Sequence, residues 1–229
     1  MKIPVMIQLF RDADAGLVRL DDSLPVHASF PSLVDGSPFA VGKEDDSDST
    51  LYERIGRGAS LRERLELMIT RSSNLATNLL IERVGAARAQ GSARALGAWS
   101  IQVLRGVEDG PAYRAGLSNT TTARDLGALL TAIAFERAAT RASCDSMVAI
   151  LSRHEFNEGI PAGVPAGARV AHKTGWIGEV VYHDAAVVHP ARGGAYVLVV
   201  LTGGIKEDSV AHNLVADLSR LVYRAASPP

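Results

Sequence analysis

Met68-Ile69-Thr70-Arg71-Ser72-Ser73-Asn74-Leu75-Ala76-Thr77-Asn78-Leu79-Leu80 is the stretch on which the reading of this chain turns. Just upstream, Ser60-Leu61-Arg62-Glu63 has the pattern of a capping box, where serine and glutamate side chains satisfy free backbone N–H groups at a helix start. The helix it opens turns Leu61, Leu65, Met68 and Ile69 inward. After the polar tripeptide, Leu75, Leu79 and Leu80 resume helical spacing up to Gly85. Two helices therefore abut at Ser72-Ser73-Asn74. Alone, such a tripeptide is ordinary helix-capping chemistry. It gains weight from a second motif far along the chain, Lys173-Thr174-Gly175, at the end of a Val-containing extended segment.

Outward from these motifs the organisation is regular. Residues 2–13 read as a helix, with Ile3, Met6, Ile7 and Phe10 at helical spacing and Pro4 in the first turn, where its missing N–H costs nothing. From 16 to 60 the periodicity fades. Pro25, Pro31, Gly36, Pro38 and the acidic run Glu44-Asp45-Asp46-Ser47-Asp48 read as a surface insertion ending in a solvated turn; the run lacks the glycine and terminal glutamate of a calcium loop. Helices follow over about 86–96, from Thr122 onward with Leu126, Leu129, Leu130 and Ile133 on one face, and over about 142–153. Segments 169–174, 183–189 and 195–202 read as strands, the last two joined as an antiparallel hairpin. A final helix over about 208–224 is expected to bury Ala211, Leu214, Val215, Leu218, Leu221 and Val222. Helices in the middle and a meander flanked by helices predict an α+β fold.

The 229 residues are 47% apolar and carry a net charge of −1. That composition is globular, and it lacks the basic surplus that a nucleic-acid footprint needs. Cys144 stands alone, which excludes a disulfide scaffold. The longest apolar runs, 126–135 and 196–201, are too short to span a bilayer. The histidines form no H-x-x-x-H pair and no cysteine pair supports zinc, so neither metal nor cofactor is called for. Of 24 basic residues only four are lysines, so each lysine bears individual inspection.

The two motifs together resemble the class A β-lactamase and penicillin-binding-protein-like serine hydrolases, in which an S-x-x-K nucleophile motif joins S-D-N and K-T-G in one cleft. The likeness extends to the whole stretch Met68 to Leu80, including Asn78 four residues after Asn74. It also takes in Ser118-Asn119-Thr120-Thr121-Thr122, similar to the end of the family's omega loop, and the last two strands. Lys2-Ile3-Pro4-Val5 resembles the start of the nucleophile helix. The resemblance implies an antiparallel sheet, five strands in the family and about three here, flanked by helices. It implies one domain, with a helical part over roughly 2–155 and a sheet-and-helix part over roughly 165–226, whose N-terminal helix and first two strands lie outside these residues.

It also implies roles. Lys2 would be the motif lysine, and Ser72 would relay a proton to the leaving nitrogen. Asn74 would bond the substrate's side-chain amide, and Lys173 and Thr174 would bind its carboxylate. Thr174 and Gly175 would begin a strand that aligns the substrate, and Trp176 would wall the cleft. Glu108 is the candidate base for deacylation, with an exposed loop carboxylate or Asp109 as the alternative. Asn119 stands where the family has an aspartate paired with Arg105, so a neutral hydrogen bond to Arg105 is expected there. The nucleophile falls three positions before Lys2. No internal substitute exists, because Lys43, Lys173 and Lys206 are preceded at that spacing by Ala40, Val170 and Gly203. The expected substrate is a small β-lactam or a peptidoglycan-stem-like peptide. A D-Ala-D-Ala peptidase and a non-catalytic binding domain are the rival readings. Family members are exported, whereas these residues show no signal-peptide pattern. Uncovering the last strand and one face of the final helix is expected to make the chain self-associate.

Overall fold

The computed structural model describes residues 1–178 and 181–226. At its centre lies α1 (Lys2–Asp14), whose residues from Ile3 to Phe10 are all buried, on every side of the helix and not on one stripe. Its two polar residues inside the core are satisfied. Gln8 donates to Asp12 at 2.8 Å and accepts from Ser92, while Asp12 pairs with Arg88.

Around α1 pack α2 (Leu61–Thr70), α3 (Asn74–Val84), α4 (Ala86–Ala95) and, after the short α5 (Gly110–Arg114) and α6 (Ala123–Ala134), α7 (Arg141–Leu151). Thr122 and Asp125 form a reciprocal capping box at the head of α6. The box expected at Ser60 is half made. Its hydroxyl accepts from the Glu63 N–H at 3.1 Å, but the Glu63 carboxylate turns instead to Arg54, a stronger charged partner.

Residues 16–60 lie largely at the surface, as the fading periodicity suggested, but they are tied into the fold. Short strands β1 (Ser23–Pro25) and β4 (Gly58–Ser60) pair antiparallel, as do β2 (Ser29–Pro31) and β3 (Pro38–Ala40). They anchor Val18, Val26, Phe30, Val41 and Leu51 in the same core as α1. Three-residue strands leave too few alternations for a period to show in sequence.

The main sheet is antiparallel, in the order β5 (Arg169–Ile177), β6 (Val181–His189), β7 (Tyr196–Leu201). Lys173 pairs with Ala185 and Gly175 with His183. Because strand side chains alternate, β6 sends Ala185 and Val187 into the helical core and Ala186 and Val188 into a second cluster under α8 (Asp208–Ala226). A tight contact docks α8: a side chain at Gly163 would place its Cβ 2.1 Å from the Ala216 carbonyl, and Ser219 donates to the Ile160 carbonyl at 2.9 Å.

The expected burial along the last helix is corrected here. Ala211 and Val215 pack toward the sheet and Ala216 and Ser219 against residues 160–163, whereas Leu214, Leu218 and Leu221, with Val210, form an exposed apolar stripe. The helix is apolar on two sides, and the described residues cover one. β7 is likewise an edge strand.

Candidate active site

Four elements meet at one cluster: the start of α1, the turn between α2 and α3, the head of α3, and β5. The turn is built by backbone geometry. Arg71 N–H and Ser73 N–H both donate to the Leu67 carbonyl, and Ser72 takes up a left-handed conformation at φ 60°. For an L-residue that conformation costs about 1–2 kcal/mol. Ser73 is fully buried and caps α3, accepting from the Ala76 N–H at 3.2 Å, so Asn74 becomes the helix's first residue.

Lys2 Nζ donates to Ser72 Oγ at 2.9 Å, to Asn74 Oδ1 at 3.1 Å and to the Ser72 carbonyl. Lys173 Nζ reaches the same Ser72 Oγ at 3.0 Å and the Thr174 carbonyl at 2.8 Å. Burial lowers Lys2 to a pKa of about 8, an effect that Asp46 partly opposes. Lys173 is pushed well below the ordinary lysine value by burial and then by the charge of Lys2, against the pull of Asp184. With both amines on Oγ lone pairs, the Ser72 hydroxyl proton is free to point elsewhere.

The acidic run is solvated only in part: Glu44, Asp45 and Ser47 are exposed, while Asp46 and Asp48 turn inward. Asp46 accepts from Asn74 N–H at 2.9 Å, Leu75 N–H at 2.8 Å, Tyr52 hydroxyl at 3.1 Å and Ser73 hydroxyl at 3.2 Å. It therefore caps α3 from outside the helix. Asp48 is buried and pairs with Arg71 at 3.1 Å. The charge run read as solvent-facing because sequence carries no sign of the helix terminus opposite it.

Thr174 and Gly175 lie within β5, whose outer edge is unpaired in the sheet. Thr174 Oγ1 lies 2.8 Å from His154 Nε2. A Cβ at Gly175 would meet only His183 Cβ at 3.8 Å, leaving open space beside the threonine. Trp176 is exposed and donates its indole N–H to Asp208 at 3.1 Å.

Glu108 is not brought into the cluster by any described hydrogen bond. It is exposed, at φ 64°, on a loop whose preceding residue is clamped: Val107 N–H donates to Asn78 Oδ1 at 2.7 Å and Asn78 Nδ2 to the Val107 carbonyl at 2.9 Å. Asp109 caps α5 and accepts from Ser32 and Leu33. Asn119 closes the loop's neck, but not through the Arg105 side chain. Its amide bonds the backbone of Leu104 and Arg105 at 2.8–3.2 Å, and the guanidinium turns to the Leu117 and Gly106 carbonyls. A primary amide matches a backbone donor–acceptor pair, whereas a guanidinium seeks acceptors alone.

His154, which sequence reasoning passed over, contacts Thr174 directly. No motif marks it. A broader concavity, lined by Ile133, Val148, Pro161 and Val170, lies between α6, α7 and the start of β5 and contains none of these residues. Among the described residues no group of three or more His, Cys, Asp or Glu could hold a metal, and no helix is long and apolar enough to cross a membrane.

An antiparallel sheet flanked by helices, with a helical body beside it, is the α+β architecture of the solved β-lactamases and of PBP-A. The chain belongs to the beta-lactamase enzyme family, whose sequence profile matches residues 1–226. It is 27% identical over 177 residues to a β-lactamase of Bacillus licheniformis, covering 76% of this chain and 58% of that one. The solved structure of PBP-A superposes with a TM-score of 0.80 at 30% identity, over 98% of this chain and 78% of that one. A β-lactamase from Sphaerobacter thermophilus superposes at 0.83 with 26% identity, over 100% and 82%. The chain spans little more than half the length of the curated relatives it matches.

Proposed function

We propose that these residues form the greater part of a single β-lactamase-like domain whose site opens β-lactam rings through a serine acyl-enzyme. The nucleophile would be a serine three positions ahead of Lys2, on the same face of the helix. The 229 residues alone would be inactive. The supporting observation is Ser72 Oγ within 3.0 Å of both Lys2 Nζ and Lys173 Nζ.

In this reading neutral Lys2 takes the serine proton as its oxygen attacks the lactam carbonyl. The carbon–nitrogen bond then breaks. The departing nitrogen takes the Ser72 hydroxyl proton, and the Lys2 ammonium restores it. Lys173 and Thr174 hold the substrate carboxylate, Asn74 its side-chain amide, and the strand at Gly175 its backbone. A mutant of PBP-A, 31% identical to this chain, has been captured as an acyl-enzyme complex with penicillin G.

Hydrolysis of the ester would need a base, and Glu108 is the candidate carboxylate. Its exposure, with Val107 clamped beside it, favours a second outcome, in which the enzyme acylates and stalls as a penicillin-binding protein does. One experiment separates these. The protein extended through a serine three residues before Lys2 is exposed to benzylpenicillin and weighed intact. A single adduct that decays quickly supports the lactamase, and a persistent one the penicillin-binding protein. An adduct on the 229-residue chain would overturn the placement of the nucleophile.

A further inference from the structure

His154 is buried, 3% exposed, and its two ring nitrogens face different elements. Nδ1 lies 2.7 Å from the Ile69 carbonyl, in the last turn of α2. Nε2 lies 2.8 Å from Thr174 Oγ1 and 3.3 Å from the Thr174 backbone nitrogen, on β5. Each side dictates a protonation state. A carbonyl oxygen offers only lone pairs, so Nδ1 carries the proton; a backbone N–H offers only a proton, so Nε2 is bare. The two constraints come from separate elements and agree on one neutral tautomer. With Nε2 bare, the Thr174 hydroxyl donates to it, and its proton points away from the cleft.

We propose that His154 is a positioning residue that ties α2 to β5 and holds the Thr174 hydroxyl proton inward in the free site, so that a ligand carboxylate must draw that proton outward on binding. The second half rests on the reading of Thr174 as a carboxylate-binding residue. The environment keeps the imidazole neutral: burial, then the charges of Lys173 and His172, lower its pKa to about 2. When the hydroxyl swings to a carboxylate, Nε2 retains the Thr174 N–H, so the histidine stays satisfied throughout. His172 stands edge-on to the ring at 4.7 Å and is itself held by Asp184 at 2.9 Å and Asn157 at 3.2 Å, which blocks rotation of His154 on that side.

Two measurements on the 229-residue chain test this. Nitrogen-15 correlation of the histidine rings at neutral pH should show His154 protonated at Nδ1 and bare at Nε2. A ring protonated at Nε2, or at both nitrogens, overturns the proposal, whether or not any ligand binds. The second measurement compares non-covalent binding of benzylpenicillin with that of its methyl ester. His154→Phe removes the acceptor that competes with the ligand carboxylate for the Thr174 proton, so it should tighten the acid about tenfold and leave the ester unchanged, while His154→Gln, which offers one donor and one acceptor, should return the acid to the parent affinity. Equal losses for acid and ester would reduce His154 to a packing role and sink the proposal. If the unsubstituted chain binds neither compound, the proposed function fails, and the tautomer still decides the first half.

Discussion

Lys2 Nζ lies 2.9 Å from Ser72 Oγ although the two residues stand 70 positions apart, and the serine reaches it from a left-handed backbone. A lysine so placed titrates early, near pH 8, because burial disfavours its charge. As a base it works only when neutral. Acylation of the serine-bearing form should therefore rise about tenfold per pH unit below 8 and level off above it. Stopped-flow labelling with a fluorescent penicillin measures this; a flat profile between pH 6 and about 8 contradicts it.

Asp46 holds the first turn of α3 in place behind Asn74 and raises the Lys2 pKa. Asp46→Asn should cost about 2 kcal/mol, the scale of hydrogen bonds to a charged group, and lower the melting temperature by several degrees. Since the negative charge supports the ammonium form, its loss should also move the acylation midpoint to lower pH. Calorimetry and the same pH profile read the two effects separately.

Asp184 has no exposed surface, and its carboxylate is bonded to His172 at 2.9 Å and to the Ile160 N–H at 2.8 Å. Asp184→Ala leaves a buried imidazole and a buried amide without their acceptor. Urea unfolding should show a loss of about 3–5 kcal/mol. A loss below about 1 kcal/mol would mean that water replaces the carboxylate.

Val210, Leu214, Leu218 and Leu221 make one apolar stripe on α8, and β7 is an edge strand of the sheet. Stripe and edge together should drive the 229-residue chain to self-associate at micromolar concentration. Leu214→Glu combined with Leu218→Lys should return it toward monomer without changing its circular dichroism. Sedimentation velocity is the measurement, and a monomeric parent chain is the adverse result.

The substitution Gly175→Val separates packing from approach. Space beside Gly175 is open, so the melting temperature should stay within about 2 °C, while acylation of the serine-bearing form falls at least about tenfold as the side chain fills the path beside Thr174.

Much of the architecture was legible from local chemistry. The helix α6 shows its cap and its apolar face within a dozen residues, and the strands β5 to β7 show as short, Val-rich runs bounded by Gly or Pro. Residues 16–60 were not legible, because strands of three residues repeat too few times to reveal a period. The final helix misled for the opposite reason: periodicity reports that a face is apolar, not whether another element covers it.

Short motifs of stated chemistry name their own residues, so Lys2, Ser72, Asn74 and Lys173 could be picked out one by one, and the architecture grouped them. The capping of α3 by Asp46 and the grip of His154 on Thr174 belong to no motif. Each joins segments remote in the chain through hydrogen bonds a few ångströms long, and such a bond leaves no trace in residue order until the chain has folded and brought donor and acceptor together.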